Sequence, residues 1–156
     1  MLINACEEDA RLRNMYGTTV MTSKGTWITD RRVFEKTGFT EVDKKERFEL
    51  MAKKIHSGAP DPGLIDWTAN RERFKGWHLL YADQCPWHDK SAGMLKETAV
   101  EYGFDLKITK IKSAREAKQA PSGFGVFNLL HDGKLLEDHY ISKARFRNII
   151  NKELNI

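Results

Sequence analysis

The chain has 156 residues, of which 40% are hydrophobic and 31% are charged, and its formal net charge is +4. This length allows one ordinary domain or two small ones with a real buried core. No apolar run approaches the roughly 18 residues that a membrane-spanning helix needs, so we expect no membrane partner. The 26 basic residues are interspersed with 22 acidic ones, whereas a nucleic-acid surface needs basic residues clustered on one face. We therefore expect no nucleic-acid partner.

The chain start and the cysteines bear on the location of the protein. The first ten residues turn acidic and lack the basic start and small-residue cleavage site of a secretory signal. The two cysteines, Cys6 and Cys85, are far apart and form no disulfide framework. These features predict a reducing, cytoplasmic location.

The first third of the chain predicts a small mixed set of helices and strands. Apolar side chains recur at helical spacing from Leu2 to Tyr16, and Cys6 lies among them, so we expect Cys6 to pack in the core. Asn4 and Glu7 have the spacing of a capping box. The predicted elements are a helix over 2–16, a strand over 18–22, a helix over 31–37 and strands over 39–42 and 47–55.

These five elements span only about 55 residues and can hardly enclose a core of their own. The strand over 18–22 presents an unpaired edge unless another element covers it. We therefore expect either a missing segment or a partner at this edge.

The stretch from Thr19 to Ile55 contains the segment RRVFEKTGF, a predicted helix followed by a strand. It resembles the C-terminal half of a GNAT-family N-acetyltransferase, where the corresponding signature usually ends in a form such as FYEKLGF. The resemblance implies an incomplete GNAT-type mixed sheet over residues 1–55. It also implies acetyl-CoA as the cofactor and acetyl transfer to a small-molecule amine.

Two departures from the family's pattern affect the implied site. The Gly-rich loop that holds the acetyl-CoA pyrophosphate should precede residue 1, so no cofactor-binding residue is identified. Phe34 stands where many relatives carry a tyrosine that protonates the departing thiolate, and a phenylalanine has no proton to give. Trp27 either lines the acyl-acceptor cleft or packs in the core. The resemblance thus implies a chain that is inactive alone and needs the N-terminal half of the fold or a homodimer partner.

Residues 56–63, with the sequence HSGAPDPG, hold two of the four prolines and two glycines, a composition typical of a linker. A second domain is predicted over 64–156. Asp132-Gly133 favours a tight hairpin turn, and Ser113 and Ser142 are suited to cap helices. The predicted elements are a helix over 64–74, a strand over 77–83, a helix over 84–102, a strand over 105–111, a helix over 113–120, a hairpin over 125–141 and a helix over 142–154.

This order resembles a thioredoxin-like α/β domain. The resemblance depends on Cys85 at a strand-to-helix turn, on Pro121 before the hairpin and on the closing helix. It implies that Pro121 matches the cis-proline that faces the active cysteine in that fold, and the sequence leaves the isomer at Pro121 open. The stretch over 107–150 is also similar to the YoaP-like domain, which occurs at the C-terminus of certain bacterial GNAT proteins. Together the resemblances predict an α/β chain, an incomplete acetyltransferase sheet followed by a thioredoxin-like domain.

The segment CPWH, beginning at Cys85, is the main candidate for chemistry in the second domain. A resolving cysteine is missing, so two-cysteine exchange is disfavoured. A cysteine at a helix N-terminus is nevertheless placed where the helix dipole favours the thiolate, and His88 lies one turn away on the same face. Cys85 and His88 are therefore catalytic candidates, with Trp87 as a pocket wall. Cys85 is also a residue type that often simply packs. No second pair of metal ligands accompanies Cys85 and His88, so we expect no metal site.

Three hypotheses follow for the function. The first is the acetyltransferase polypeptide described above. The second is a monothiol redox or thiol-binding module that uses Cys85 toward a small-molecule thiol. The third is a non-catalytic interaction module whose exposed sheet edge recruits a partner or a second copy.

Overall fold

The computed structural model describes residues 2–25, 28–69 and 71–156. The chain divides into two compact units, residues 1–65 and residues 66–156. Each is a mixed arrangement of helices and one β-sheet, which agrees with the predicted α/β class. In the described part of the chain, no helix has both the length and the apolar character needed to cross a bilayer.

The elements of the first unit are α1 (Leu2–Leu12), β1 (Gly17–Ser23), α2 (Arg32–Glu35), β2 (Thr40–Lys45) and β3 (Phe48–Lys54). Their order is the predicted one. The strands form a three-stranded antiparallel sheet with the order β1-β3-β2. Charged residues at the tip of the β2–β3 hairpin include Glu46, which adopts a positive φ of 52°. The central strand β3 is buried along most of its length, as expected for a strand paired on both sides.

Residues 56–65 lie in the first unit and are bound to its sheet by specific contacts. The Leu64 main-chain N–H donates to Asp43 Oδ2 at 2.7 Å, and Lys54 Nζ lies 3.0 Å from Asp61 Oδ1. Ala59, in the middle of the segment, is buried. The stretch predicted as a linker is therefore ordered against the strands that precede it.

Two expectations for α1 are wrong. Cys6 is exposed rather than packed in a core, and Leu2 and Leu12 are 83% and 82% exposed. The helix already begins at Leu2, so Asn4 does not cap it, and the Glu7 carboxylate instead binds Lys53 Nζ at 2.7 Å. Helical spacing identifies residues that share a face, but it does not determine whether another element covers that face.

The helices and strands of the second unit are β4 (Trp77–Ala82), α3 (Pro86–Glu101), β5 (Leu106–Ile111), α4 (Ala114–Ala117), β6 (Phe127–His131), β7 (Lys134–Glu137) and α5 (Lys143–Leu154). The strands form a four-stranded sheet with the order β5-β4-β6-β7, in which β4 and β5 are parallel and the other pairs antiparallel. The predicted hairpin turn is confirmed, because Asp132 and Gly133 both have positive φ, at 47° and 79°.

The helix predicted over 64–74 is wrong. The described residues of this stretch form only a 3₁₀ turn at Arg71–Arg73. Leu64 is bound to Asp43, and Asp66 Oδ1 accepts both the N–H and the hydroxyl of Thr68. Such side-chain-to-backbone bonds favour turns over helix.

The sheet of the second unit is covered on both faces. One face packs against α3 and α5, and these two helices are joined by Glu101, whose carboxylate lies 2.7 Å from Lys143 Nζ and 2.9 Å from Arg147 Nη2. The other face, here called the α4 face, carries a smaller apolar cluster. Its buried members are Phe74, Leu80, Ala82, Ile111, Ala120, Val126 and Leu130.

Candidate functional site

Cys85 lies at the front end of α3, as the sequence predicts. It is the N-cap residue, with extended backbone angles of −140° and 129°, and its side chain makes no capping hydrogen bond. Pro86 follows as the first helical residue, where a missing N–H costs nothing. The Cys85 side chain is half-exposed, so a small reagent has access to it.

His88 is buried beneath this helix start. Its Nδ1 lies 3.0 Å from the main-chain oxygen of Ala82, so Nδ1 carries the proton in the neutral ring and donates it to that carbonyl. The imidazole also packs against Phe127, with ring centroids 5.3 Å apart. His88 therefore links the first turn of α3 to the end of β4.

A second set of polar contacts joins this turn to the neighbouring parallel strand. The Tyr81 hydroxyl donates to Asp89 Oδ1 at 2.8 Å, and Lys110 Nζ lies 2.8 Å from Asp83. Burial, and then the bond to Asp89, raise the pKa of Tyr81 above its ordinary value. The bond to Asp83 raises the pKa of Lys110. These four residues were not predicted as site residues, because Tyr81 and Asp89 meet through the packing of α3 on β4, and Lys110 reaches Asp83 through the parallel pairing of β4 with β5.

Trp87 lies beside Cys85 on the first turn of α3, but its side chain is 53% exposed. The edge of its ring meets Tyr140 at a centroid distance of 6.3 Å, and Lys90 Nζ lies 5.0 Å from the ring centre. Trp87 therefore forms an open aromatic surface on the first turn of α3.

Pro121 is buried, and its main-chain oxygen accepts a 2.8 Å hydrogen bond from Arg71 Nε. No cis peptide bond occurs in the described part of the chain, so the bond before Pro121 is trans. Pro121 therefore differs in its isomer from the cis-proline that the thioredoxin-like resemblance matches it to. A proline permits either isomer, and its presence in the sequence does not select one.

A cleft of about 460 Å³ opens at the carboxyl ends of β4 and β5, on the α4 face of the sheet. Asp83 and Gln84, the two residues before Cys85, line one side, and Lys110 and Lys112 line another. Val126, just before β6, lines the cleft as well. Ligands of α/β proteins commonly bind outside the carboxyl ends of parallel strands.

Phe34, a predicted site residue of the first unit, lies in α2. Phe34 is half-buried and its ring meets Phe39 edge to face, with centroids 5.6 Å apart. The Phe34 ring therefore packs against the residue that leads into β2. Trp27 lies outside the described residues.

A charged cleft of about 700 Å³ adjoins the front of α2. Asp30 accepts both the N–H and the Nε–H of Arg32 at 2.9 Å, and these bonds lower the pKa of Asp30 and raise that of Arg32. Arg31 binds Glu41 at 2.6 Å and Glu35 at 3.1 Å. This charged cleft is therefore lined mainly by residues of opposite charge that are paired with one another.

Among the residues that the structure describes, no three His, Cys, Asp or Glu side chains are grouped to hold a metal ion. In particular, the Nδ1 atom of His88 is turned to a main-chain carbonyl.

Comparisons with known proteins point to an acetyltransferase-like relative. Residues 105–148 match the sequence model of the family described as YoaP-like, which confirms the resemblance predicted for 107–150. The chain is also similar to a protein of Bacillus subtilis (strain 168) named "Uncharacterized N-acetyltransferase YoaP", with 25% identity over 154 residues. That match covers 96% of this chain but 61% of the relative, so the chain spans about three-fifths of the relative's length.

Proposed function

We propose that the chain is part of an N-acetyltransferase that transfers an acetyl group from acetyl-CoA to a small-molecule amine. The observation that carries the proposal is the similarity, over 96% of the chain, to a protein named as an N-acetyltransferase. Residues 1–55 contribute the C-terminal half of a GNAT-type sheet, and residues 64–156 form a thioredoxin-like domain appended to it. The reaction takes place in the cytoplasm.

The two edges of the first sheet differ in a way that fits this role. The edge strand β2 carries Glu41, Asp43, Lys44 and Lys45 and has an irregularity in its register with β3, features that protect an edge from further pairing. The opposite edge strand β1, with the sequence GTTVMTS, has no charged residue. Within the described residues it pairs with β3 alone. In the proposal, the outer edge of β1 receives the strand that completes the acetyltransferase sheet.

In the proposed reaction the amine nitrogen attacks the thioester carbonyl carbon directly. The carbon–sulfur bond breaks, the amine loses one proton, and coenzyme A leaves as a thiolate that takes up a proton. Such catalysis consists mainly of positioning the reactants and stabilising the departing thiolate. Phe34 donates no proton, so the proton for the thiolate comes from another group or from solvent.

Calorimetry with acetyl-CoA tests the proposal in two arms. The 156-residue chain alone is expected to show no micromolar binding, because the completing strand is absent. Co-expression with the part of the Bacillus subtilis relative that lies outside the match is expected to restore binding. Micromolar binding by the chain alone would show that it holds a complete cofactor site. Absence of binding in both arms would contradict acetyl transfer.

The position of Cys85 favours a second candidate function, a monothiol redox or thiol-binding module. As a half-exposed N-cap residue with no capping bond, its sulfur is available at the positive end of the α3 dipole. The thiolate attacks one sulfur of a small-molecule disulfide, a mixed disulfide forms, and the other sulfur leaves as a thiolate.

Cys6 provides an internal control for this second function. Cys6 is exposed on α1, whereas Cys85 is only half-exposed. An activated Cys85 is expected to react with iodoacetamide faster than Cys6 despite its lower exposure, as measured by mass spectrometry of the two peptides. Slower reaction of Cys85 would remove the monothiol hypothesis, and it would leave the acetyltransferase proposal untouched.

A further inference from the structure

Asn128 is a fully buried amide that the proposed functions do not use. It lies within β6 opposite Leu80 of β4, and its exposed fraction is 0%. Neither its Oδ1 nor its Nδ2 atom has a hydrogen-bond partner. Such groups are rare in folded proteins, because burying an amide without partners costs free energy. This costly arrangement therefore calls for a physical explanation.

The position of Asn128 relates it to the cleft of the second unit. Side chains alternate along a strand, so Asn128 shares the α4 face with Val126 and Leu130, its neighbours two positions away. Val126 lines the cleft, as does Ala82, which follows Leu80 by two residues on β4. Asn128 is thus one side-chain repeat, roughly 7 Å, inward from the cleft wall.

Ser122 adds a second observation in the same chain segment. Its exposed fraction is 4%, and its hydroxyl also has no hydrogen-bond partner. In the described part of the second unit, Ser122 and Asn128 are the residues with buried, unpartnered side-chain atoms, and Val126 lies between them in the chain. The segment 122–128, which borders the cleft, therefore contains the buried side-chain donors and acceptors that have no hydrogen-bond partner in the described part of this unit.

We infer that Asn128 is the inner anchor of a binding site for a small molecule that carries an amide group and a carboxylate. An asparagine amide offers both a donor and an acceptor, and either the N–H or the C=O of a second amide pairs with it. At the cleft, Lys110 is paired with Asp83, and Lys112 adds a further positive charge, which favours an anionic group at the mouth. The volume of about 460 Å³ is within the range of small-molecule sites. The inference does not depend on acetyl transfer.

The first experiment follows the Asn128 side-chain NH₂ signals by NMR during addition of N-acetylglycine, which has both groups. The signals are expected to shift with N-acetylglycine and to stay unchanged with acetate, which has no amide. No shift with N-acetylglycine, or equal shifts with both compounds, would overturn the inference. A shift with adenosine alone would assign the site to a nucleobase edge and overturn the assignment to an amide ligand.

The second experiment measures thermal stability. Asn128→Leu replaces an unpartnered amide by an apolar side chain of similar size, so it is expected to raise Tm by about 4–8 °C. The same variant is expected to abolish the N-acetylglycine response, which is then read from the NMR signals of the other residues that line the cleft. Ser91→Ala is the matched control, because the Ser91 hydroxyl is buried and donates to the Ile141 carbonyl at 2.9 Å. It is expected to lower Tm and to leave the response intact.

A lower Tm for Asn128→Leu would show that the amide is satisfied inside the fold and would overturn the inference. If that variant does not fold, Asn128→Ala is used with the same readouts. Retention of the N-acetylglycine response in a folded Asn128 variant would likewise exclude the residue as an anchor.

Discussion

Thr19 and Thr40 lie on opposite sides of the same residue, Ala52, at the two edges of the first sheet. Both side chains are exposed, and both strands pair with β3. The pair therefore allows one edge to be altered while the other serves as its control.

Thr19→Lys is expected to reduce self-association of the 156-residue chain, because a lysine on an exposed edge strand hinders further strand pairing. Sedimentation at increasing concentration measures the effect. Thr40→Lys, on the edge that is already charged, is expected to leave the sedimentation coefficient unchanged. A wild-type chain that stays monomeric at high concentration would contradict a free pairing edge and would count against the interaction-module hypothesis.

His88→Leu is expected to lower the free energy of unfolding of the second unit by about 1–2 kcal/mol, because the Ala82 carbonyl loses its buried donor. Urea denaturation measures the loss. His88→Gln retains a side-chain N–H and is expected to recover part of it. The rate of Cys85 alkylation in the two variants tests a positioning role separately, since a purely structural His88 would change stability without changing that rate in the folded protein.

Acidification is expected to weaken the attachment of residues 56–65. The Leu64 N–H, and then the Lys44 N–H, hold the pKa of Asp43 below its ordinary value. The stabilisation from the charged carboxylate is therefore fully present above the unfolded pKa of about 3.9 and is lost as pH falls through the lower, folded pKa.

The amide chemical shift of Leu64 reports this titration by NMR. Its midpoint is expected below about 3.9. Asp43→Asn removes the titrating carboxyl group, and its Leu64 signal is expected to be insensitive to pH in this range. A wild-type midpoint at or above the ordinary value would show that the Asp43–Leu64 bond does not favour the charged form.

Local chemistry explains which parts of the fold were predictable. Asp132-Gly133 defines its turn, Ser142 caps α5 by accepting the Arg145 N–H at 3.2 Å, and Cys85 with Pro86 begins α3 as expected. In each case the residues that determine the local structure lie within a few positions of one another. The sequence pattern that predicts the turn, the cap or the helix start is therefore also its physical cause.

The sequence predictions fail where residues far apart in the chain determine the local structure. Leu64 does not begin a helix, because a carboxylate 21 positions earlier binds its N–H. The contact of Tyr81 with Asp89 depends on how α3 packs on β4, and that of Lys110 with Asp83 depends on the pairing of β4 with β5, neither of which periodicity determines. Asn128 lies within the predicted hairpin over 125–141, and only its burial without partners identifies it.

Arg145 and Glu137 provide the sharpest test of electrostatics in the second unit. The Arg145 Nε and Nη2 atoms lie 2.8 and 2.7 Å from one Glu137 oxygen, and the Glu137 side chain is only 8% exposed. Arg145→Met is expected to lower the free energy of unfolding by about 1–3 kcal/mol, because it removes the main partner of a buried carboxylate. Arg147→Met is the control, since its partner Glu101 is 44% exposed and such pairs contribute about 0–1 kcal/mol. Equal losses for the two variants would show that burial of Glu137 does not amplify its ion pair.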